Sequence, residues 1–102
     1  MDQRKLAPLL IGFSFALESL FIEEMAVNLV YITDEEKRKE YRRESQRRIQ
    51  KMGEGIRDGT EIVVFEVTSV AERFAYYCQC IRLSYDEQDY LKSVLARGWR
   101  NA

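Results

Sequence analysis

Cys78 and Cys80 are the best nucleophiles in a sequence that contains no histidine. That absence removes Ser-His-Asp and Cys-His catalysis, His-ligated zinc, and the side chain best suited to proton transfer near neutral pH. On a helix the two thiols point about 200° apart, so they cannot bridge within the chain. Two cysteines also fall short of the four ligands of a structural zinc site. The bland reading is core packing for at least one of them, in a reducing compartment.

Carboxylates are the next candidates. Glu18, Glu23 and Glu24 stand in an apolar stretch, and Glu66 and Glu72 in a second one. Di-iron bundles need Glu-x-x-His pairs, which this chain cannot supply. The expectation is therefore no metal and no cofactor, with Glu18 and Glu23 reaching solvent or pairing with Arg73, Arg82 or an arginine of a partner.

Positive charge concentrates in residues 33–57, with nine basic and six acidic groups. Within the helix predicted over 37–51, Arg42, Arg43, Arg47 and Arg48 are candidates for phosphate or acidic-partner contacts. The six acids, a net charge of −1 and a pI near 5.6 favour a solvated face instead. Aromatics crowd the C-terminal third. Tyr77 and one of Tyr90 or Trp99 suit the core, while Tyr76, Tyr85, Arg73 and Arg82 fall off the apolar seam and are the candidate partner-binding residues.

Positioning these groups requires helices. Residues 6–32 read as one long helix with Pro8 in its first turn. Leu10, Phe13, Leu17, Leu20 and Leu29 mark one side, but Phe15, Ile22 and Val27 place apolar groups on the other. A second subunit or partner is expected there, with Phe15, Ile22 and Phe65 as self-interface candidates. Arg4 and Lys5 before the apolar run Leu6–Leu17 imitate a secretory signal. No A-x-A-like cleavage site follows, and twelve uninterrupted residues are fewer than the roughly 20 that cross a bilayer. A cytoplasmic setting is the expectation, with attachment of this segment to a membrane surface the lesser alternative.

Thr33 with Glu36 forms a capping-box pattern, opening a helix with a thin seam of Tyr41, Ser45, Ile49, Met52 and Ile56 that Gly53 and Gly55 are expected to end. Val63, Val67, Val70, Phe74, Tyr77 and Ile81 recur in steps of four and three, predicting a third long helix over 58–81 capped by Asp58. The alternative starts that helix at the Ser69/Glu72 box and pairs 61–67 as a strand with 27–33. Ser84 with Glu87 opens a short fourth helix.

The sequence thus predicts one domain over 1–102, an all-α four-helix bundle with three segments of about 24 residues each, or α+β in the alternative. The function expected is non-enzymatic protein–protein interaction, as an inhibitor, immunity or adaptor protein that forms a homodimer, binds a larger partner, or does both. A nucleic-acid-associated regulator using the basic helix is the alternative.

Overall fold

The computed structural model describes residues 1–101 and consists of four α-helices: α1 (Gln3–Leu29), α2 (Glu35–Asp58), α3 (Thr68–Cys80) and α4 (Tyr85–Arg97). A 3-10 turn over Trp99–Asn101 closes the chain, and the described residues contain no strand. The all-α bundle is therefore the architecture, and the pairing of 27–33 with 61–67 does not form.

α1 is the axis of the molecule. Asp2 caps it by accepting a hydrogen bond from the Arg4 amide, three residues earlier than the pattern suggested. Pro8 consequently lies in the second turn rather than the first. Its ring removes one helical hydrogen bond at an exposed position. Leu6, Leu10, Phe13, Leu17 and Leu20 step by four, three, four and three along one side and are buried.

α2 returns antiparallel to α1. Its N-cap is Asp34, not Thr33: the Asp34 carboxylate accepts from the amides of Glu36 and Lys37. Glycines 53 and 55 do not stop it. A helix ends where its backbone must turn left-handed, and only Gly59 does so, at φ 79°. Its neighbour Thr60 then donates to the Gly55 carbonyl. Gly53 is instead a place of close approach, where a Cβ would collide with the Glu18 carboxylate.

The third long helix is shortened to 13 residues. After the left-handed turn at Gly59, β-branched Ile62, Val63 and Val64 run without helix or strand assignment. Val63 is buried, and its amide donates to the Leu95 carbonyl of α4 at 2.8 Å. Val67, counted on the predicted seam, is exposed, and the helical period holds only from Val70 through Phe74 and Cys78. Asp58 caps nothing, and α3 begins one residue before Ser69 with no side-chain cap. Only Ser84 and Glu87 form the full reciprocal capping box.

The bundle is therefore asymmetric. α3 and α4 cover the N-terminal part of α1, and the α1–α2 hairpin extends beyond them in a molecule of 49 × 24 × 21 Å. Phe13 lies fully buried at the centre, edge-on to Phe74 at 5.2 Å and tilted against Tyr77 at 5.6 Å.

Candidate protein-binding face

The open side of α1 gathers the features that sequence reasoning had separated. At 100° per residue, Ile11, Phe15, Ile22 and Ala26 fall within about 60° of one another, opposite the core stripe. Phe15 is 54% exposed, Ile22 47% and Ile11 42%. Glu18 and Ser19 interrupt the stripe between Phe15 and Ile22, but several large apolar side chains exposed on one helix face mark an interaction site more often than scattered single residues do.

Ion pairs bound the stripe on both flanks. On the α2 side, one Nη of Arg57 donates to Glu18 Oε1 at 2.7 Å and to Ser14 Oγ at 2.9 Å. The Ser14 hydroxyl in turn donates to the Ile11 carbonyl. The Arg57 guanidinium also sits 4.6 Å from the centre of the Phe15 ring, which fixes both groups at the rim. On the α3 side, Arg73 donates to Glu23 at 2.8 Å. Tyr76 follows Arg73 by three positions on the same flank of α3, is exposed, and shares a shallow depression with Arg73, Leu20, Ser69 and Glu72.

Of the expected self-interface residues, Phe15 and Ile22 share this face and Phe65 does not. Phe65 is half-buried against Phe74 at 5.1 Å and stacked near Phe13, with Lys92 above its ring. It completes the aromatic core because the chain turns at Phe65 and Glu66 before α3 and directs the Phe65 ring inward. Of the expected partner-binding residues, Arg73 and Tyr76 border the face. Arg82 instead lines a separate depression with Arg4, Lys5, Pro8 and Leu9, and it is the only described non-glycine residue at positive φ. Tyr85 is exposed at the first turn of α4.

Arg42, Arg43, Arg47 and Arg48 are all exposed but are not brought together. Six residues separate Arg42 from Arg48, placing them about 120° apart round the helix. Arg43 and Arg47 share a depression with Glu36, Glu40 and Glu44. Alternating charge of this kind lowers the potential a phosphate would meet.

The two thiols differ sharply. Cys78 is fully buried, and burial pushes its pKa up to about 11, whereas Cys80 is exposed. Burial likewise raises the Tyr77 phenol, with the neighbouring Cys78 adding to the effect, and its hydroxyl donates to the Leu9 carbonyl at 2.8 Å. Tyr77 thus acts as a core polar tether beside Gly12, where a Cβ would strike its hydroxyl. Among the described residues, no cluster of three His, Cys, Asp or Glu side chains is placed to hold a metal ion.

Arg57 is the residue sequence reasoning missed. Glu23 found Arg73, one of the expected partners, but Glu18 pairs with an arginine that follows Gly53 by four. The signal available was that spacing, since a glycine one turn before a cation leaves room for a facing carboxylate. Although its uninterrupted apolar run is only twelve residues, α1 over Arg4–Leu29 is long and apolar enough to cross a bilayer, and 33% of its most apolar stretch is buried in the bundle. Comparison with protein-family models, with curated proteins and with solved structures finds no match for this chain.

Proposed function

We propose that the protein is a non-catalytic interaction module that binds protein through the open face of α1, in the manner of an inhibitor, immunity or adaptor protein that occludes a partner's surface. The observation that carries this reading is the exposed apolar stripe of Ile11, Phe15 and Ile22, flanked by the Glu18–Arg57 and Glu23–Arg73 ion pairs. A face carried on a regular helix has its backbone already ordered before binding. Tyr76 and Arg73 at its edge are residue types enriched in binding hot spots. Free thiols at Cys78 and Cys80 suit a cytoplasmic setting.

The test is affinity capture with wild type and with the double variant Phe15→Glu/Ile22→Glu, each shown by circular dichroism to keep its helices, followed by calorimetry with the purified captured protein. The expected result is a loss of at least tenfold in affinity for the variant, with little dependence on salt. Capture that survives the double substitution, or that disappears on nuclease treatment, would sink the proposal. In the nuclease-sensitive case affinity would fall linearly with log salt and would depend on Arg42, Arg43, Arg47 and Arg48.

A further inference from the structure

We infer that the depression between the start of α1 and the α3–α4 connection binds a small amphipathic monocarboxylate, its carboxylate held by Lys5 and Arg82 and its chain lying against Leu9 and Leu83. The site is independent of the open α1 face, since its lining includes none of Ile11, Phe15 and Ile22. Its volume, about 430 Å³, falls within the range of small-molecule sites. Arg4, Lys5 and Arg82 bring three positive charges to it, and Glu87 is its one acid. Glu87 is already engaged, accepting from the Ser84 amide in the capping box. Arg4 pairs with Asp2, whereas Lys5 and Arg82 have no ion-pair partner among the described residues.

Local folding rules disfavour cations at these positions. Beyond its Asp2 cap, the first turn of α1 carries no acid, and Arg4 and Lys5 stand there instead, at the positive end of the helix dipole. Arg82 follows the C-cap of α3 at φ 56°, while the next amide, that of Leu83, donates back to the Cys78 carbonyl. Glycine is the usual residue in that left-handed position, and a side chain there carries strain. Two separate elements thus each break a local rule, and both breaks deliver positive charge to the same depression, as happens where a site is kept for a ligand. Charge sets the valence of that ligand. Three cations, less Glu87 in the lining and Asp2 on Arg4, leave one positive charge for a monoanion to neutralise. The planar guanidinium of Arg82 matches both oxygens of a carboxylate, and Pro8, Leu9 and Leu83 offer an apolar wall to the chain attached to it.

Octanoate, titrated below its micelle concentration at fixed ionic strength, is the probe. The expected results are saturable one-to-one binding by calorimetry, amide shifts in the NMR spectrum centred on Lys5, Leu9 and Leu83, and at least tenfold weaker binding of both 1-octanol and inorganic phosphate. Arg82→Gly separates recognition from folding. Glycine relieves the left-handed strain, so this variant should melt no lower than the wild type and still lose at least tenfold in octanoate affinity. Undetectable octanoate binding, or octanol or phosphate binding as tightly as octanoate, would overturn the monocarboxylate site. An Arg82→Gly variant that keeps its affinity, or that melts below the wild type, would overturn the role given to Arg82. Shifts centred on Phe15 and Ile22 would put the chain on the open α1 face and overturn the location. A peptide ending in a free leucine carboxylate that binds more tightly than octanoate would overturn the small acid as occupant in favour of a protein C-terminus.

Discussion

Two phenylalanines two positions apart show how far a residue's role depends on helical phase. Phe13 is fully buried in an aromatic cluster, and Phe15 stands on the open face beneath Arg57. Phe13→Ala is expected to cost about 3–5 kcal/mol, a large share of the 5–15 kcal/mol that holds such a domain folded. Phe15→Ala should change monomer stability by no more than about 1 kcal/mol, the cation–π contact included. Urea denaturation of both variants at a concentration low enough to exclude association checks the contrast. The thiols give a second test at this scale. Cys80 is expected to react with a disulfide reagent in the native protein, while Cys78, buried and with a pKa near 11, should react only as fast as the protein opens. Equal rates for the two would contradict the burial of Cys78.

At the scale of elements, ends and connections decide the helices more than their interiors do. The Ser84–Glu87 box opens α4, and its backbone hydrogen bond holds the Glu87 carboxyl below the usual carboxylate range. Because the folded value is lowered, the stabilisation is complete above the unfolded carboxylate range and is lost as pH falls through Glu87's lowered value. Ser84→Ala is expected to cost about 1 kcal/mol at neutral pH. Glu87→Gln should flatten the acid limb of the stability curve, and an unchanged acid limb would show that the box contributes nothing. Gly59 governs the other critical end. Its φ of 79° and the Trp99 ring, which a Cβ here would strike, leave no room for a side chain, and Trp99 Nε1 donates to the Ile56 carbonyl across this junction. Gly59→Ala should therefore destabilise by more than the roughly 1 kcal/mol of backbone strain alone. In the connection that follows, hydrogen exchange should find the Val63 amide protected by Leu95 and the Ile62 and Val64 amides open.

For the whole molecule, the two sides of α1 differ: one supplies the core that α2, α3 and α4 cover, and the other leaves Ile11, Phe15 and Ile22 exposed, the face proposed to bind protein. Thermal stability of the wild type is accordingly expected to rise on addition of the captured protein, and that of Phe15→Glu/Ile22→Glu to be independent of it, because binding stabilises only a folded state that can associate. Calorimetric melts over a hundredfold range of the captured protein's concentration measure this. Much of the arrangement was legible from residue types and their spacing alone: an all-helical chain, the α1 core stripe, the seam of α2 and the Ser84 box, each of which depends on local period and capping chemistry. The irregular segment 60–67 was not, because its apolar residues continue a helical period that the left-handed Gly59 interrupts, and burial of Val63 against α4 replaces the helix with a non-local hydrogen bond. Nor was the Glu18–Arg57 pair, whose partners are 39 residues apart and meet only because Gly53 lets the two helices approach. Local sequence thus determined which stretches can be helical and which side of each is apolar, since propensity and period act within a few residues. Only the tertiary structure decided where two of the helices stop and which apolar side stays uncovered, since both depend on the positions of groups far away along the chain.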